Sequence, residues 1–325
     1  MPHQPSATAA PRSRTSPASR TTAPGTAAPL KPLRGVRILS LALNLPGPAA
    51  LMRCQAMGAR CVKLEPPPPA SAPKGASGDP MGLYNPKAYR EMHAGVRLVW
   101  ADLKTERGQK LLHRELAKTD VLLTSFRPSA LVKLGLDWPR LRRSYPQLSM
   151  VEIVGAPGAR AEEPGHDLTY MAEQGLVPGL ELPSSLFADM GGSLMASEAV
   201  LKARLLQLQK GKGVRFEIAL NEAAGYLGLP QHWGLTRPGA AVGGGHAGYR
   251  VYPCKDGRVA LAALEPHFAA ALAREAGLPA SQDAMRSMWD PETHAAVARF
   301  VAGKTCRALT ALGAAQDIPL LALPG

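Results

Sequence analysis

The residues of this chain best suited to chemistry fall in two short words. Gly165-His166-Asp167 is one, and Asp189, 23 residues beyond His166, sits in the other. An imidazole and a carboxylate that start in opposite protonation states can take a proton from one face of a carbon acid and return it to the other. A carboxylate can instead attack a carbonyl and carry the acyl group itself. Each residue also has a structural reading. His166 and Asp167 precede a predicted helix, where Asp is a common N-cap, and Asp189 before Met190-Gly191-Gly192 fits the same role. Neighbouring positions on a helix point about 100° apart, so His166 and Asp167 cannot share a target unless the helix begins between them. Two helix N-termini meeting at one cleft would offer free N–H groups to an oxyanion. Glu265-Pro266 opens another predicted helix, where an acid beside the dipole is expected. Arg127-Pro128 reads as a solvated loop, and the lone run Gly243-Gly244-Gly245 does not define a phosphate loop.

The elements that must position these residues alternate. Strands are predicted at Val36–Leu41, Cys61–Leu64, Val96–Trp100, Val121–Leu123, Met150–Val154 and Val214–Ala219. Between them lie helical patterns, including one running from Pro46-Gly47-Pro48 to about Met57 and one started by Thr105 with Leu111, Leu112 and Leu116 on one face. Residues 66–80 read as an irregular loop. Further helices are expected at about 166–175 and 191–209. Alternation of this kind predicts an α/β fold, a doubly wound and mostly parallel sheet, with ligands beyond the carboxyl ends of the strands. The loops after Leu41, Leu64, Leu123 and Val154 are therefore the expected walls of a site. From about residue 230 the pattern changes to a hairpin, Tyr249–Tyr252 and Val259–Ala263 turned at Asp256-Gly257, then helices at about 265–276, 291–302 and 304–313. This predicts a tail (1–33), a large domain (34–229) and a smaller α+β domain (230–325).

The net charge of +13 does not point to nucleic acid. Nine Lys or Arg precede the first acid, Glu65, leaving 29 basic against 25 acidic residues in the rest of the chain. No basic and aromatic residues interleave. That modest excess suits a ligand with several phosphates. Residues 1–33 are rich in Pro, Ala, Ser, Thr and Arg and read as a disordered tail. Their Arg content and lack of acids resemble a transit peptide, but the prolines break any amphipathic helix, so a cytoplasmic protein is expected. No apolar run is long enough to span a membrane. Cys54, Cys61, Cys254 and Cys306 are too widely spaced for a CxxC metal site, and neither a disulfide framework nor a metal is expected.

Several segments in order resemble the family III CoA-transferase (CaiB/BaiF) superfamily, which includes the α-methylacyl-CoA racemases. They are LRGVRILSLALNLPGPAALM (33–52), GARCVKLEPP (58–67), ADLKTERGQKLL (101–112), TDVLLTSFRPSALVKLGLDW (119–138), GHDLTYMAEQGL (165–176), FADMGGSLMASEAVLKA (187–203) and GKGVRFEIALNEAA (211–224). The resemblance implies a Rossmann-like large domain, a small domain, and two chains interlocked as a homodimer. It implies an acyl-CoA thioester as substrate, with coenzyme A entering as part of that substrate and no permanent cofactor. The words around His166, Asp189 and Glu265 resemble the racemase branch most. On that basis His166 and Asp189 form the acid/base pair and Glu265 is a supporting carboxylate. Tyr249, Gly191 and Gly192 are carried as substrate-contacting positions, and Arg127 matches a CoA-contacting arginine. In the transferase branch the aspartate matching Asp167 is the nucleophile that forms an acyl anhydride. A non-catalytic CoA-binding or partner subunit is the third reading.

Three segments depart from the family wording. The stretch Tyr89-Arg90-Glu91-Met92-His93-Ala94-Gly95 lacks the usual Asn/Arg-rich character, Pro66 stands about where the racemases carry an arginine, and the C-terminal return segment is expected to be shortened.

Overall fold

The computed structural model describes residues 30–72, 76–279 and 284–325. Most of the predicted tail, residues 1–29, lies outside them.

Six strands form one wholly parallel sheet: β1 (Arg37–Ser40), β2 (Arg60–Glu65), β3 (Arg97–Trp100), β4 (Val121–Thr124), β5 (Ser149–Val154) and β6 (Arg215–Ala219). Their order is β3-β2-β1-β4-β5-β6. The period of two along each strand explains why the sheet is covered on both faces. Ile38, Val121, Leu123, Val151 and Ile153 face one way, into a core with Leu51 and Cys54 of the helix Pro46–Ala56 and Ala196, Ala199 and Val200 of the long helix Phe187–Lys210. Leu39, Leu122 and Met150 face the other way, against Leu112 and Leu116 of the helix Glu106–Leu116. Each of these leucines, fully buried, contributes about 1.5–3 kcal/mol. Thr105 caps the helix it was expected to start, accepting from Gly108 N–H at 3.1 Å.

The long helix begins at Phe187, four residues before Gly191, so both glycines lie inside it. A Cβ on Gly192 would come within 2.2 Å of Leu220 Cδ2, and one on Gly191 within 3.1 Å of Leu227 Cδ1. Close packing against the helix Leu220–Leu227, which the sequence reading did not foresee, is why glycine is used there.

A second sheet is antiparallel, in the order β7 (Tyr249–Cys254), β8 (Gly257–Ala262), β9 (Leu320–Pro324). The hairpin turn falls at Lys255-Asp256. Strand β9 was not predicted; it pairs Leu320 with Leu261 and Pro324 with Gly257. The helices Pro266–Glu275, Pro291–Ala302 and Cys306–Gln316 cover this sheet, with a core of their own built on Val259, Leu261, Leu272, Val297 and Leu309.

Candidate active site

In this strand order, chain connections leave β1 and β4 in opposite directions, which opens a crevice beyond their carboxyl ends. A cleft of about 160 Å³ lies there. Its walls are Leu43, Asn44 and Pro46 after β1, Ser125, Phe126 and Arg127 after β4, and Ile153 to Gly155 at the end of β5. Three of the four expected loops therefore meet at the cleft. The loop after Leu64 does not line it, but through Asp79 it holds the backbone of Asn44 in the first wall.

That support is a buried charge network. Lys63 and Asp79 are fully buried and bonded to each other. Lys63 Nζ also reaches Glu65 Oε1 at 3.5 Å and His93 Nε2 at 3.1 Å. Glu65 accepts from Ser77, Tyr89 and Gly78 N–H. Asp79 then accepts from Met81 N–H at 2.9 Å and from Asn44 N–H at 3.1 Å. Asn44 has φ 64°, a left-handed conformation that Asn tolerates better than most residues. The network thus fixes the strained first wall of the cleft. It also accounts for the altered stretch 89–95: Tyr89 and His93 are buried partners of Glu65 and Lys63. Burial, and then the Lys63 charge, hold the His93 imidazole below its usual pKa.

His166 and Asp189 both line the cleft, while Asp167 does not. His166 is the N-cap of the helix Asp167–Glu173; its N–H donates to Thr169 Oγ1 at 3.1 Å. Asp167 is the first helical residue and is buried. Its Oδ1 accepts from the backbone N–H of Asp189 at 2.9 Å. Asp189 is not an N-cap. It is the third residue of the long helix, whose own N-cap, Leu186, offers no side-chain acceptor. Asp167 therefore satisfies a free N–H of the neighbouring helix, so the two N-termini are locked together. Burial pushes the Asp189 carboxyl up to about 7, and the nearby Asp167 charge adds to the effect. A carboxyl with that pKa can both give and take a proton near neutrality.

Tyr170 is the residue that sequence reasoning passed over. It lies one helical turn after His166 and lines the same cleft. Its phenol lies so close to Gly155 and Gly165 that a Cβ there would come within 2.1 and 2.6 Å of it. Burial and Asp189 raise its pKa, while Arg127 opposes them. The signal was present in the word Gly-His-Asp-Leu-Thr-Tyr, at the i, i+4 spacing that puts two side chains on one face. Asn44 and Glu163, also in the lining, carried no comparable signal.

Other predicted residues lie elsewhere in the chain. Glu265 is the exposed N-cap of the helix Pro266–Glu275, and Tyr249 opens β7, half-buried. Neither lines the cleft, and neither do Gly191 and Gly192, which are packed against the helix Leu220–Leu227. Among the described residues, no helix is long and apolar enough to cross a membrane.

A Rossmann-like sheet with a polar cleft at its switch point defines a broad class of α/β ligand-binding proteins. The family follows from comparison with known proteins: residues 33–323 match the model of CoA-transferase family III, and the chain belongs to that family. It is 29% identical over 271 residues to α-methylacyl-CoA racemase of Mus musculus, covering 77% of this chain and 66% of that protein. It is 35% identical over 149 residues to cinnamoyl-CoA:phenyllactate CoA-transferase of Clostridium sporogenes, covering 45% of this chain and 36% of that one. The chain thus spans from about a third to two thirds of the length of these relatives. A crystal structure of a hypothetical protein from Mycobacterium tuberculosis superposes with a TM-score of 0.75 at 26% identity, covering 91% of this chain and 85% of the other.

Proposed function

We propose that the chain is an acyl-CoA enzyme that moves the proton at the α-carbon of a 2-methylacyl thioester, with His166 and Asp189 as the two acid/base groups. The observation that carries this reading is their shared cleft, from which Asp167 is withdrawn into a backbone hydrogen bond. An α-proton beside a thioester is weakly acidic, so its removal needs a base on one face, an acid on the other, and stabilisation of the enolate oxygen. His166 takes the proton while protonated Asp189 delivers another, and the reverse direction exchanges the roles. The enolate oxygen is stabilised by the helix N-termini that Asp167 ties together. At about 160 Å³ the cleft has room for the reacting end of the thioester alone, and Arg127 at its rim suits the phosphates of the CoA portion.

In this reading residues 34–229 bind CoA and residues 230–325 form the smaller domain. Glu265 and Tyr249 reach a cleft only across a homodimer, as in the interlocked arrangement the family implies. Incubation of a 2-methylacyl-CoA in deuterium oxide tests the proposal through label at the α-carbon. The second reading is CoA transfer between carboxylic acids through an Asp167 anhydride. The likeness to the cinnamoyl-CoA:phenyllactate transferase supports it. Hydroxylamine trapping of Asp167 during turnover would favour that reading over the first. A partner subunit without activity would show no thermal shift with CoA esters.

A further inference from the structure

Cys254 and Cys306 are 52 residues apart in the chain, but the fold brings their Sγ atoms to 3.5 Å. Cys254 ends β7, and Cys306 is the first residue of the helix Cys306–Gln316. Between them stands Asp256 of the hairpin turn. Its Oδ1 lies 3.8 Å from Cys254 Sγ and accepts from Cys306 N–H at 2.7 Å. The three donor atoms lie within 4.8 Å of one another.

We propose that Cys254, Asp256 and Cys306, none of which lines the cleft, form a binding site for a zinc-class divalent cation, independent of the reaction proposed there. Two thiolates at ~2.3 Å from a tetrahedral zinc stand about 3.8 Å apart, and a thiolate and a carboxylate oxygen about 3.6 Å apart. The observed 3.5 and 3.8 Å are close to both. A disulfide would need the sulfurs at ~2.05 Å. Backbone hydrogen bonds hold the donors in place without any metal. Lys255 N–H donates to Lys304 O at 2.9 Å, and Gly325 N–H to Asp256 O at 3.0 Å. Two thiolates and a carboxylate select a borderline-soft ion over magnesium or calcium. On binding, each S–H gives its proton to buffer and forms a metal–sulfur bond, so two protons leave per ion and no electron moves. The ion ties the β7–β8 turn, and with it the end of β9, to the N-terminus of the helix Cys306–Gln316.

Cobalt(II) added to the reduced full-length chain without oxygen is the probe. One equivalent should produce thiolate-to-cobalt charge-transfer absorption, and one equivalent of zinc(II) should bleach it and protect two of the four thiols from a thiol reagent. Cys254→Ser and Cys306→Ser should each abolish the band, and Asp256→Asn should weaken binding by at least about tenfold. Cys54→Ser should leave the band unchanged. Because a Cys306 variant could lose its fold, the thiol-protection count on the unmodified chain stands as a separate reading. The proposal is overturned if no band forms, if the band survives in folded Cys254→Ser, if zinc protects no thiols, or if metal-treated protein becomes two hydrogens lighter by forming a disulfide.

Discussion

At the scale of the residue, Asp189 has the most measurable property. Its carboxyl is raised to about 7 by burial and by Asp167, against roughly 3.9 in an unfolded chain. The folded state therefore holds the proton more tightly, and stability falls as pH rises from about 4 through about 7. Asp189→Asn, which cannot ionise, should exceed the parent in stability at pH 8 by about 1–3 kcal/mol, with the gap closing near pH 4; urea melts at the two pH values check this. The same substitution should lower α-proton exchange by about 10²–10⁴-fold, as should His166→Asn. Tyr170 depends on two glycines that admit its ring. Gly155→Ala should displace the phenol and reduce kcat about tenfold or more with little change in far-UV circular dichroism, since a misplaced group at a reacting centre is costly.

At the scale of the element, the unit that matters is the pair of helix N-termini joined by Asp167. Asp167→Asn keeps an oxygen that can accept from Asp189 N–H but removes a charge. It should fold normally and, in the direction where protonated Asp189 is the acid, move the alkaline limb of the pH–rate profile to lower pH, because Asp167 contributes to the raised Asp189 carboxyl. Asp167→Ala should also cost about 0.5–2 kcal/mol in a denaturant melt through loss of the cap. A carboxylate from one helix capping another cannot be read from sequence spacing. The sequence placed Asp167 and Asp189 at helix starts, which is correct to within one turn, but its structural alternative made each a cap for its own helix. The early start at Phe187 was illegible for the same reason. Glycines inside a helix read as a boundary until a packing partner such as Leu220 is known. Strands β1 to β6 were legible because apolar runs between helical patterns are a local signal, whereas β9 was not, because it exists only through pairing with β8.

At the scale of the whole molecule, the cleft depends on a buried ion network far from its floor in sequence. Lys63→Met would leave Asp79 and Glu65 buried without their cation, and should cost about 3–5 kcal/mol by chemical denaturation. Charge patterning alone gave no warning of it, since Lys63, Asp79 and His93 come from three separate segments. Glu265 and Tyr249, read from family wording, lie outside the cleft of the single chain, so their proposed contribution rests on assembly with a second copy. In the proposed reaction His166 and Asp189 exchange the α-proton of an acyl-CoA. Deuterium incorporation at the α-carbon of a 2-methylacyl-CoA tests it most directly. Label is expected with the parent chain and with Asp167→Asn, and at a rate about 10²–10⁴-fold lower with His166→Asn or Asp189→Asn. Absence of label in the parent, with CoA transfer that stops on loss of Asp167, would contradict it.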